Sequence, residues 1–178
     1  MRTLTTCAAV FAFVLMLAPA GYAQDTLTLI GSGSSAFEVP PIAGAGTSSA
    51  TCTLNRVAVT FACTATVYNI VDLTAGHVHV GGPGVAGPVV MNIPSLPLRI
   101  SDDFTLTWTW TSADLILRPA QGVNKIADVF EACSSGNCYL NFHTTVNAGG
   151  EIRMQLCPQG DGRAANKFYN VNVCTIDR

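Results

Sequence analysis

From Phe104 to Thr111 the chain alternates apolar residues and threonines without a break. Phe104, Leu106, Trp108 and Trp110 take one parity; Thr105, Thr107, Thr109 and Thr111 take the other. Successive side chains of a strand point to opposite faces, so this pattern describes an antiparallel strand with one face in a core and one in water. The same period opens the domain at Thr26-Leu27-Thr28-Leu29 and runs from Val57 to Tyr68. There Val57, Val59, Phe61, Cys63, Ala65 and Val67 share one face, and Thr60, Thr64, Thr66 and Tyr68 the other. Two tryptophans on one strand face can form a sugar-stacking platform or fill a core. The threonine face already supplies the solvent side, so core filling is the better reading.

Turn-forming clusters separate these runs: Gly31-Ser32-Gly33-Ser34-Ser35, Pro40-Pro41, Gly81-Gly82-Pro83-Gly84 and Ala148-Gly149-Gly150. Pro94 and Pro97 interrupt what is otherwise one strand from Val89 to Ile100, which implies an edge or a bulge. One helix is expected near Val123–Cys133, where Ile126, Val129, Phe130 and Cys133 fall at helical spacing and Gly136 supplies a terminus. Short strands between Gly/Pro turns indicate an all-β sandwich or barrel with one short helix.

The N-terminus reads as an export signal. Arg2 supplies the positive region, Ala8 to Ala18 the apolar region and Gly21-Tyr22-Ala23 the cleavage site, with cutting expected after Ala23. The apolar run is too short, and too quickly followed by Pro19, for a permanent membrane span. Residues 24–157 then form one domain, with 158–178 as a C-terminal extension, in a secreted or periplasmic setting. Only 11% of the chain is charged, the formal net charge is -2, and no basic run exists. Nucleic acid and anionic membranes are therefore poor partners.

Cys7 leaves with the signal, and six cysteines remain: Cys52, Cys63, Cys133, Cys138, Cys157 and Cys174. An even number in an exported chain reads as disulfides, with 15 connectivities open. Nearest-neighbour pairing is expected: Cys52–Cys63, Cys133–Cys138 and Cys157–Cys174. The first pair carries a condition. A hairpin turn centred on Val57-Ala58 places Cys52 opposite Cys63, whereas one centred on Asn55-Arg56 puts them about four residues out of register. Zinc binding by these cysteines is the weaker reading, because no CxxC pair is present.

All three histidines lie in two strand-like stretches, Gly76-His77-Val78-His79-Val80 and Tyr139-Leu140-Asn141-Phe142-His143. Residues i and i+2 of a strand share a face, so His77 and His79 point the same way. Neutral imidazoles suit copper or zinc, and His143 can join them only if its strand approaches that face. The plainer reading makes the histidines hydrogen-bonded braces near the Gly81–Gly84 loop. Glu151 and Arg153 are also i, i+2 neighbours. They read as a local charge pair, or a brace to the Glu38 loop, rather than as a general base or anion clamp. Asp102-Asp103 reads as a turn. No nucleophile–base arrangement stands out, and Gly31–Ser35 lacks the lysine and following helix of a phosphate loop.

Three segments together resemble the CHRD (chordin-type) domain family. They are Phe37-Glu38-Val39-Pro40-Pro41, then His77-Val78-His79-Val80-Gly81-Gly82-Pro83-Gly84 continuing through Gly87-Pro88-Val89-Val90, and finally Tyr139-Leu140-Asn141-Phe142-His143-Thr144 leading to Gly150-Glu151-Ile152-Arg153. The likeness covers roughly Leu27 to Leu156. Met154 departs from it where the family carries glycine, and Pro158 to Arg178 lies beyond it. The resemblance implies a Greek-key or immunoglobulin-like β-sandwich or barrel, distantly like Cu/Zn superoxide dismutase, and an extracellular binding role with no settled activity. His77-Val78-His79 is also similar to the copper-binding strand of the dismutases. A bridged copper–zinc site, however, needs six histidines and an aspartate, and this chain has three histidines.

The combined expectation is an exported, non-enzymatic binding or structural module. Its working surface joins the His77–His79 strand, the Gly81–Gly87 loop and the His143 strand. Its partner would be an extracellular protein or glycan. The alternative is a copper-binding protein of dismutase-like architecture, with His77, His79 and His143 as metal ligands.

Overall fold

The computed structural model describes residues 25–99 and 101–159. The expected signal at 1–23 and Cys174 lie outside them, as does the extension beyond Gln159. Among the described residues, eight strands form one antiparallel sheet: β1 (Thr26–Ser34), β2 (Thr47–Asn55), β3 (Thr60–Tyr68), β4 (Leu73–Val80), β5 (Val89–Asn92), β6 (Phe104–Trp110), β7 (Cys138–Thr144) and β8 (Ile152–Pro158). Their order is β5-β4-β7-β8-β1-β2-β3-β6. The β3-to-β4 and β6-to-β7 connections cross over, because β3 lies beside β6 and β4 beside β7. This is a Greek-key arrangement.

The two sheet edges are joined by the chain that leaves β6. Trp110 Nε1 donates to the Asn92 carbonyl at 2.6 Å, and Ile116 N donates to the Val90 carbonyl at 2.8 Å. Arg118 Nε donates to the Val89 carbonyl at 2.8 Å. The result is a nearly closed barrel, in which these contacts satisfy backbone carbonyls of the β5 edge. Leu29, Leu54, Phe61, Val67, Phe142 and Met154 fill the interior, and both tryptophans are buried with them. Thr105, Thr107 and Thr109 face water. Thr107 and Thr105 pair through their hydroxyls with Thr64 and Thr66 of β3, at 2.9 and 2.8 Å.

The helix α1 (Ile126–Ser134) buries Ile126, Val129, Phe130 and Cys133, the four positions that its spacing marks. It packs on β7 and β8. Gly136, with φ 71°, turns the chain after it, and Cys133–Cys138 ties its end to the first residue of β7. Among the described residues, no helix is long and apolar enough to cross a membrane.

The β2–β3 hairpin pairs Asn55 with Thr60 and Cys52 with Cys63. Its turn therefore centres on Val57-Ala58, and the disulfide joins residues whose Cα atoms are 4.0 Å apart. Asn55 shapes this turn by accepting from the amides of Val57 and Ala58 at 3.0 and 2.8 Å. Val57 and Val59, expected on the core face, instead belong to the turn and are exposed. Strand alternation cannot extend through a reversal of the chain. Gly31-Ser32-Gly33-Ser34, expected as a turn, continues β1 opposite Ala50 to Thr47. Glycine is needed here for close approach: a Cβ at Gly31 would lie 2.7 Å from the Gln155 carbonyl. The prolines do end an edge strand, since β5 stops at Asn92 before Pro94.

Candidate functional site

Register carries the site. β7 runs between β4 and β8, pairing Ala75 with His143, His77 with Asn141 and His79 with Tyr139 on one side. On the other side Tyr139 pairs with Gln155 and Asn141 with Arg153. Directly paired residues share a face. His77, His79, Tyr139, Asn141, His143, Arg153 and Gln155 therefore all stand on one side of the sheet. Val78, Leu140, Phe142, Ile152 and Met154 fill the core from the other. The polar side is nonetheless covered. Tyr139, Asn141, His79, His143 and Arg153 are all buried.

Loops provide the cover, and side chains of the sheet hold them. Arg153 donates to the carbonyls of Val85 (3.0 Å) and Gly82 (2.8 Å), and Gln155 donates to that of Gly81 (3.0 Å). Tyr139 accepts from the Gly87 amide at 3.0 Å. On the opposite flank Glu151 braces two further loops. It accepts from Ser35 at 3.4 Å and from Thr144 at 3.3 Å, and it also accepts from Asn147. Glu151 and Arg153 thus serve different loops rather than each other. The expected brace toward the Glu38 loop exists, through Ser35, while the local charge pair does not.

The three histidines converge. The His77 and His143 ring centres are 4.6 Å apart, and those of His79 and His143 are 6.3 Å apart. One nitrogen from each ring falls within a set spanning no more than 4.8 Å. Their hydrogen bonds define the tautomers. A carbonyl can only accept, so Nδ1 of His79 donates to Gly87 O at 2.9 Å and Nδ1 of His143 donates to Ala148 O at 3.0 Å. Nε2 of His143 then carries a lone pair, which accepts from Nδ1 of His77 at 2.8 Å. Each ring keeps Nε2 as its basic nitrogen, and that of His79 is buried with no partner among the described residues.

Burial lowers the pKa of all three rings. His77 falls to about 4, with its two histidine neighbours adding to the effect of burial. His79 and His143 shift the same way, opposed by their carbonyl hydrogen bonds. The rings are therefore neutral at physiological pH, the state a metal requires.

A stack extends from the histidines into the sheet. Tyr139 lies nearly parallel to His79, with ring centres 4.6 Å apart and an interplanar angle of 11°. The Arg153 guanidinium carbon sits 3.5 Å from the centre of the Tyr139 ring. Beside Asn141 lies Glu38, buried and held by Asn141 Nδ2 at 3.3 Å. Burial pushes the Glu38 carboxyl up to about 7, against the pull of Asn141 and Arg153. Gly150, with φ 143°, leaves room for it: a Cβ there would stand 2.7 Å from both Glu38 oxygens. Glu38 Oε1 and Asn141 Oδ1 have no partner among the described residues.

Sequence reasoning placed the His143 strand in this surface but did not single out Tyr139 and Asn141 on it, and it missed Glu38 and Gln155 as members of the patch. The signal was present in the alternation of Tyr139, Asn141 and His143 with Leu140 and Phe142, which places them on one face.

The donor set fits a late transition metal. Two ligand nitrogens on one zinc or copper ion, each at about 2.0–2.1 Å, lie at most about 4.2 Å apart. The present set spans up to 4.8 Å, so an ion would have to draw the rings together and take the place of the His77–His143 hydrogen bond. Carbonyl-held Nδ1 protons are also the usual support for histidines that ligate through Nε2.

Two disulfides among the described residues fit an oxidising compartment. No curated protein and no solved structure matches the chain. The CHRD domain model matches residues 31–156, which span the sheet from within β1 into β8 and include every residue of the covered patch. On that match, this chain belongs to the CHRD domain family.

Proposed function

We propose that this protein is an exported extracellular or periplasmic binding module whose working centre is a transition-metal site formed by His77, His79 and His143. The carrying observation is the unpartnered Nε2 of His79, buried beside two other neutral imidazoles. An orphaned buried acceptor costs about 1–3 kcal/mol, a penalty that a bound ion removes. Copper is the first choice and zinc the second, because imidazole sites favour copper among divalent ions. The rings bind and orient the ion. The loops at 81–88 and 145–150 limit its contact with water, and the carbonyls of Gly87 and Ala148 hold two of the rings in the ligating tautomer.

A binding role, rather than catalysis, agrees with the cover over the centre. A protein or glycan partner would meet the rim of the same patch, where Val39, Val85 and Val146 are exposed.

The test is metal analysis of tag-free protein after equilibration with copper or zinc and gel filtration. Wild type should retain one ion per chain, and His79→Ala and His143→Ala should lose it while keeping their far-UV circular dichroism. Wild type emerging free of metal defeats the reading.

A further inference from the structure

The charges around the histidines bear on which ion the centre takes. The metal-capable cluster contains three neutral imidazoles and no carboxylate or thiolate. A cation already lies close by. Arg153 is 3% exposed, and the groups that its guanidinium contacts are neutral: two carbonyls, the Gln155 amide oxygen and the Tyr139 ring. Through that ring it stands within about 8 Å of the His79 ring centre.

We propose that the three-histidine centre selects copper in its cuprous state over cupric and zinc ions, and that Arg153 is the residue that sets this preference. The inference rests on the metal-binding reading above. The cost of placing an ion in a covered, weakly polar site grows with the square of its charge. Repulsion from a buried guanidinium grows in proportion to that charge. Both effects favour a monovalent ion, and three imidazoles without an anion satisfy the low coordination number of cuprous copper.

The two acids of the patch do not reverse this balance. Glu38 is not among the cluster's donors, and its carboxyl, pushed up to about 7, is mostly neutral in mildly acidic solution. The carboxylate of Glu151 keeps its charge, but it is not among the cluster's donors and its oxygens are taken up by Ser35, Thr144 and Asn147. Arg153 keeps its charge, since arginine does not deprotonate in proteins. Its position is fixed as well, by the loop carbonyls and by the stack.

The experiment measures cuprous, cupric and zinc affinities of the tag-free protein by chelator competition, below the Glu38 transition, with the cuprous arm anaerobic. Cuprous copper should bind at least about ten-fold tighter than either divalent ion. Arg153→Met should move the cupric-to-cuprous affinity ratio roughly ten-fold toward cupric, a fall of about 60 mV in reduction potential. Arg153→Lys keeps the charge while losing the planar fork and stack. It should leave the ratio in place even where every affinity drops.

A wild-type protein that binds zinc or cupric copper more tightly, with the ion lost in His79→Ala, overturns this inference and leaves the metal reading standing. An unchanged ratio in folded Arg153→Met overturns the part assigned to Arg153. Wild type that holds no ion of any kind overturns both. The wild-type ordering alone decides the first claim, whether or not a variant folds.

Discussion

Glu38 and the histidines impose opposite pH dependences on this fold. The Glu38 carboxyl titrates at about 7 in the folded protein against 4.5 ordinarily. The folded state therefore holds its proton more tightly, and stability falls as pH rises from about 4.5 through about 7. His77 is displaced the other way, from 6.5 to about 4, so its contribution is lost as pH falls through that interval. Substituting Glu38→Gln removes only the first effect. The difference in urea midpoint, wild type minus Glu38→Gln, should decline as pH is raised from about 5 to about 7.5 and stay level above. A difference independent of pH would mean that Glu38 is not protonated in the folded state. The composition of this residue-scale network was only partly legible. His77 and His79 declare a shared face by their spacing. Glu38 is 103 positions from Asn141, and nothing local in either stretch predicts that they meet.

At the scale of elements, the β2–β3 hairpin shows how a local signal becomes register. Asn55 caps the turn through its side chain, and that choice of turn brings Cys52 opposite Cys63. Removing the bond with the double substitution Cys52→Ala, Cys63→Ala should lower stability by about 2–4 kcal/mol, read as a reduced urea midpoint. Wild type under reducing conditions should approach the same value. The helix was legible because apolar residues at i, i+3, i+4 and i+7 can only be buried together on a helix. β1 was misread at Gly31–Ser34 because glycine and serine usually mark turns. Here the packing of β8, close enough to exclude a Cβ at Gly31 and Gly33, decides the conformation.

At the scale of the whole molecule, the barrel depends on a seam that is not a strand pair. Trp110, Ile116 and Arg118 satisfy carbonyls of Asn92, Val90 and Val89 in place of a regular ladder between β6 and β5. Trp110→Phe keeps most of the packing and deletes one of these bonds. It should cost about 0.5–1.5 kcal/mol, or more where the Asn92 carbonyl is left unsatisfied, and it should speed amide exchange along the seam. Unaltered exchange in the 89–93 and 110–118 segments would contradict this role.

Period-two alternation, turn residues and helical spacing together specified an all-β domain, most of its strand faces and its one helix. These are short-range properties: each follows from which side of a strand or helix a side chain must occupy. The pairings Cys52–Cys63 and Cys133–Cys138 were expected, but the first hung on a hairpin register that only the fold fixed. The covered polar patch is different in kind. It exists because β7 lies between β4 and β8, and because loops from three separate connections fold over their outward face. Pairing partners and loop cover depend on long-range free energies spread across the chain. Only the folded barrel therefore decided that three histidines, a buried arginine and a buried carboxyl would share one environment.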